Sequence, residues 1–141
     1  MDEIYLVSSP LQGEDEVVYM GIKERLKKYG EVIGPDPKEN RIFAHDYFLF
    51  IRAKKLVAQI TNPDSGLKVG QAIGRILERN YLHPSGQKRQ ILCLYGPKFD
   101  ENSFPFVDIQ DIWNYQYKNL EEAVSLVDKF FTLFEKKQST A

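Results

Sequence analysis

Lys55-Leu56-Val57-Ala58-Gln59-Ile60-Thr61-Asn62-Pro63-Asp64-Ser65-Gly66 is the stretch on which the fold turns. Its first half, to Thr61, is a short apolar, partly β-branched run of the kind that makes a strand covered on both faces. Its second half is turn chemistry, because Asn, Pro, Asp, Ser and Gly in succession interrupt any regular element. Beyond it, Val69, Ile73, Ile76 and Leu77 recur at helical spacing to about Asn80. A buried strand therefore feeds a helix through a polar turn, which is half of a parallel β-α-β unit.

The same order repeats upstream. Ile4-Tyr5-Leu6-Val7 is an apolar run ended by Ser8-Ser9-Pro10. Val18, Ile22, Leu26 and Tyr29 then mark one face of a helix over 14–29, and Gly30 stops it. Glu14, Asp15 and Glu16 precede Lys27 and Lys28, the order that suits the helix dipole. A short strand is expected at Glu31 to Gly34, then a proline-rich loop at 35–40. Phe43, Tyr47, Phe50 and Ile51 predict a helix over 42–52.

Downstream, a polar loop at 83–88 leads to the strand Ile91-Leu92-Cys93-Leu94-Tyr95. A loop at 96–105 precedes a fifth strand over 107–115, whose acidic interruptions suit a sheet edge. Leu120, Ala123, Val124, Val127, Phe130, Phe131 and Phe134 form the clearest amphipathic helix, and Lys136 to Ala141 is a polar tail expected to fray. The alternation predicts one α/β domain over 1–135. Its strands pair in parallel through right-handed crossovers, with helices on both faces. Ligands of such sheets bind beyond the strand carboxyl ends, where the winding reverses. The loops at 8–13 and 61–66 are the two that reach that place.

Bulk properties narrow the function. The chain has 141 residues, 43% hydrophobic and 28% charged, which is ordinary for one folded domain. A formal net charge of −1 argues against binding a nucleic-acid polymer, which calls for a basic excess. No run is long and apolar enough to span a bilayer. Met1-Asp2-Glu3 lacks the cationic start of a secretory signal, so a cytoplasmic location is expected. Cys93, the single cysteine, lies in an apolar run and reads as an inert buried thiol. His45 and His83 are the only histidines and stand far apart, so neither a metal nor another cofactor is expected.

Asp64-Ser65-Gly66 stands between a buried strand and a helix start. Its backbone N–H groups could hold hydroxyls or an anion, while Asp64 or Ser65 could equally serve as the helix cap. Asp46, a poor interior helix former beside an aromatic face, reads either as a solvated acid or as a group that meets a sugar hydroxyl or a proton. Ser8, Ser9 and Pro10 offer hydroxyls and backbone N–H groups in the other loop. Tyr5 reads as core filler or as a phenol reaching the crevice. Trp113, Tyr115 and Tyr117 suit core packing, a stacked base or a subunit interface. Gly66, Gly70 and Gly74 lack the dinucleotide spacing, and Gly70 with Gly74 are expected to let their helix lie close on the sheet. A phospho-receiver would need paired acids where Ser8-Ser9-Pro10 stands.

Taken in order, these pieces resemble the nucleoside 2-deoxyribosyltransferase family, which includes the 2′-deoxynucleoside 5′-monophosphate N-glycosidases. The anchors are 4–11, Asp46, Ala53 with 56–61, Asp64-Ser65-Gly66, and 90–95. The resemblance implies a flavodoxin-like (Rossmann-like) three-layer fold with a five-stranded parallel sheet, and a dimer or larger homo-oligomer. It implies a nucleoside or nucleotide as the small-molecule ligand. Tyr5 and Ser9 match the opening site positions of the family, Asp46 its first aspartate and Asp64 its second.

The family's nucleophilic glutamate does not carry over. Its place falls on Gly70 in an ungapped alignment, or on Ala72 if two residues are inserted, with Gln71 between them. Lys54 stands where many relatives have aspartate, and Leu11 at a phosphate-holding place. Covalent glycosyl transfer needs a nucleophile at the sugar carbon, and glycine has none. The expectation is a nucleoside- or nucleotide-binding protein with weak or no glycosyl transfer. One alternative is an N-glycosidase in which Asp46 or Asp64 activates water. The other is an interaction module without a ligand.

Overall fold

Ile4 to Val7, Leu56 to Ala58 and Ile91 to Tyr95 are at most 1% exposed at every position, so each run needs cover on both faces. The computed structural model, which describes residues 2–9, 11–34, 53–61, 67–82, 89–100 and 112–139, supplies it. Its elements in chain order are β1 (Glu3–Ser8), α1 (Glu14–Leu26), β2 (Glu31–Ile33), β3 (Lys55–Ile60), α2 (Leu67–Leu82), β4 (Gln90–Tyr95), β5 (Ile112–Gln116) and α3 (Leu120–Ser139). The five strands form one sheet in the order β2-β1-β3-β4-β5, with every pair parallel. This is the flavodoxin-like α/β architecture. The helix expected over 42–52 lies outside the described residues.

Side chains alternate across the sheet with the strand period of two. Tyr5, Val7, Leu56, Ala58, Ile91 and Cys93 join Val69, Ile73 and Ile76 of α2 on one face. Ile4, Leu6, Val57, Leu92 and Leu94 meet α1 and α3 on the other, through Val18, Ile22, Leu26, Val127 and Phe131. Between the two helices on that face, Arg25 donates to both carboxylate oxygens of Asp128, at 2.8 and 2.6 Å, and Tyr29 donates to the same group at 2.5 Å. The Tyr29 ring stacks on Phe131 at 4.5 Å. On the other face Asn80 ties the end of α2 to the start of β4, exchanging two 2.9 Å hydrogen bonds with the Arg89 backbone.

Two expectations change. Helix α1 ends at Leu26 rather than Tyr29, because the chain already turns there to bring the Glu31 N–H onto the Asp2 carbonyl at 2.9 Å. Helix α3 runs through Ser139, so it takes in the first residues of the polar tail, among which Lys136, Lys137 and Gln138 are good helix formers. Gly70 and Gly74 are exposed, and a Cβ at either would meet nothing within 4 Å among the described residues. They lie off the buried stripe of Val69, Ile73 and Ile76, on an exposed side of α2, so they do not mediate close approach to the sheet. Strand β5 is one of the two edge strands, as its acidic flank suggested.

The order of the strands locates the crevice. The chain moves from β1 to β2 on one side, then returns to place β3 on the other side of β1. Winding therefore reverses between β1 and β3, and in sheets of this kind the ligand crevice opens above that junction.

Candidate functional site at the β1–β3 junction

Strand β1 ends in Ser8 and β3 in Gln59-Ile60, and the register pairs Ser8 with Gln59. Alternation turns Ser8, like Leu6, to the face of α1 and α3. Gln59 points the same way, because its Nε2 donates to the Tyr117 hydroxyl at 2.9 Å and to the Asp15 carbonyl, in the first turn of α1, at 3.2 Å. Those two bonds orient the amide, since a flip would set its oxygen against the Asp15 carbonyl. Gln59 is fully buried and Ser8 is 9% exposed. Among the described residues, neither the Gln59 Oε1 nor the Ser8 Oγ has a hydrogen-bond partner. Two buried, unsatisfied groups side by side are unusual, as each costs about 1–3 kcal/mol until something pairs with it.

The next residue closes the junction. Ser9, fully buried, donates its N–H to the Gln59 carbonyl at 3.0 Å. Its hydroxyl accepts the Thr61 N–H at 2.9 Å and shares a 2.9 Å hydrogen bond with the Thr61 hydroxyl. The two ligand loops are thereby held together at their roots. The neighbouring strands continue the rim. Gly96 donates to the Ile60 carbonyl and Tyr117 to the Tyr95 carbonyl, while Gln116 caps the Gly96 and Phe99 carbonyls at 2.9 and 2.6 Å. Burial pushes the Tyr117 phenol up from its ordinary value; Gln59 opposes this, and the Asp15 charge adds to it.

Of the residues singled out in the sequence, Ser8 and Ser9 meet at this junction. Tyr5 is fully buried on the opposite, α2-covered face of β1. Pro10, Asp46, Asp64, Ser65 and Gly66 lie outside the described residues. Trp113 packs edge-on against Phe130 and donates to the Gln90 side chain at 3.0 Å, so it serves the core near the amino ends of the strands. Cys93 is fully buried, with its thiol pushed up to about 12 by desolvation, and carries no nucleophile. No group of three or more His, Cys, Asp or Glu residues suited to a metal occurs among the described residues. No helix there is long and apolar enough to cross a membrane.

Gln59 and Thr61 were not singled out from the sequence. The available signal was a glutamine inside a strand otherwise apolar from Leu56 to Ile60, since such a group needs an internal partner. Compared with known proteins, the chain matches no family model, and no curated protein matches it.

Proposed function

We propose that the protein binds a small ribosyl ligand, a nucleoside or nucleotide, above the carboxyl ends of β1 and β3, with weak or no glycosyl-transfer chemistry. The observation that carries this reading is the pair of buried polar atoms, Ser8 Oγ and Gln59 Oε1, on register partners at the winding reversal. Sugar hydroxyls and base amino groups are donors of the kind Gln59 Oε1 lacks, and Ser8 Oγ can accept or donate. The resemblance of 4–11, 56–61 and Asp64-Ser65-Gly66 to the deoxyribosyltransferase pattern points to the same ligand class. The missing chemistry follows from the nucleophile's place, which falls on Gly70 or, with two residues inserted, on Ala72, neither of which carries a nucleophilic side chain. A homo-oligomer belongs to the same reading and is measured by analytical ultracentrifugation.

The test is a thermal-shift screen against the four 2′-deoxynucleosides, their ribo counterparts and the monophosphates of both, with free base measured after long incubation. A ligand that binds only the native state raises the midpoint, by the equivalent of about 2.7 kcal/mol at a hundredfold excess over Kd. The expected result is a shift with at least one ribosyl ligand and little or no base released. Catalytic release abolished by Asp46→Asn or Asp64→Asn would replace this reading with the N-glycosidase. No shift with any ligand would leave an interaction module.

A further inference from the structure

We infer that the first turn of α1 is a charge filter that makes this site select uncharged nucleosides over their 5′-monophosphates. The inference rests on the ribosyl-ligand reading above and concerns what that site rejects. In a parallel α/β sheet the helix that follows β1 starts at the ligand crevice, where its free N–H groups and positive dipole end ordinarily suit a phosphate. Here that turn is Glu14-Asp15-Glu16, with Glu14 and Glu16 exposed and Asp15 half-buried. The turn is fastened to the site itself, because the Asp15 carbonyl accepts the hydrogen bond from Gln59 at 3.2 Å. The Asp15 charge is also felt at the Tyr117 hydroxyl, the other partner of that amide.

The backbone of the turn is equally unsuited to an anion. The Asp15 N–H is bonded to the Gln12 carbonyl at 3.2 Å and the Glu16 N–H to the Gly13 carbonyl at 3.1 Å. Gly13 brings no side chain to the cap. The atoms that lack partners at the junction, Gln59 Oε1 and Ser8 Oγ, include an acceptor that repels a phosphate oxygen and call for a donor instead. Lys98 and Lys118, the cations described at this end, are exposed and follow β4 and β5 rather than β1 and β3. A monophosphate brought to β1 and β3 thus enters the field of an acidic helix start and meets an oriented acceptor.

The experiment measures Kd by calorimetry for each 2′-deoxynucleoside and its 5′-monophosphate, at low and at 0.5 M salt. It uses the native chain and the E14Q/D15N/E16Q variant, with circular dichroism as the check that the variant folds. The expected result is about tenfold or greater preference for the nucleoside at low salt, narrowing at high salt as charges are screened and narrowing again in the variant. A monophosphate that binds the native chain as tightly as its nucleoside at low salt overturns the filter and leaves the ribosyl site standing. A preference unmoved by both salt and variant also overturns it, because the selection would then be steric. If neither ligand binds, both the filter and the site reading fall.

Discussion

The hydroxyl of Ser9 bonds both the N–H and the hydroxyl of Thr61, each at 2.9 Å, and so joins the loops that leave two adjacent parallel strands. Removing it leaves a backbone donor at the root of the β3 loop without its hydroxyl acceptor. Ser9→Ala is expected to destabilise the protein by about 1–2 kcal/mol, read from urea midpoints at unchanged slope. A double-mutant cycle with Thr61→Val is expected to show positive coupling, since the two substitutions remove one shared interaction. Additive effects would mean that the pair does not act as a joint.

Alkali should destabilise the fold through its buried weak acids. Burial pushes Cys93 up to about 12 and raises Tyr95 and Tyr117 above their ordinary values. In the unfolded chain the thiol ionises near about 8.5 and the phenols near about 10. The unfolded state therefore loses protons first, and stability that is intact below about pH 8.5 falls as pH rises towards the folded values. Urea midpoints should decline from about pH 9 upward, and Cys93→Ala should remove the earliest part of that decline. In native protein the Cys93 thiol should react with a thiol reagent only as fast as the chain opens.

Acid should act through Asp128. The hydrogen bond from Arg25 holds its carboxyl below the ordinary value, Tyr29 adds to this, and burial opposes both. An unfolded aspartate titrates near about 3.9, so the unfolded state takes the proton first as pH falls. The contribution is complete above about pH 5 and disappears as pH drops through the folded value. Asp128→Asn should flatten the acid limb of the stability profile relative to the native protein. Because the pair is partly exposed, 0.5 M salt should shrink the difference.

The layered fold was legible because its signals are local. Strands β1 and β4 hold unbroken apolar runs, β3 one interrupted only by Gln59, α2 and α3 keep one apolar stripe, and the turn residues separate them. The site was less so. Ser8 becomes significant only once it is known to lie beside Gln59, and that register depends on strand pairing rather than on either segment alone. Gln59 itself reads as core by its neighbours, and only its orphaned oxygen distinguishes it. Gly70 and Gly74 misled for a related reason. Their spacing sets them on one side of a helix without saying whether that side meets the sheet or the solvent.

The most direct test of a ligand site at the β1–β3 junction is a titration of 15N-labelled protein with a 2′-deoxynucleoside, followed at the Gln59 side-chain amide. The site predicts saturable shifts of that amide and of the Ser9 and Thr61 backbone N–H groups. Glu31 and Arg89, at the opposite end of the sheet, should stay still. Shifts confined to that opposite end, or none at saturating nucleoside or nucleotide, would contradict it.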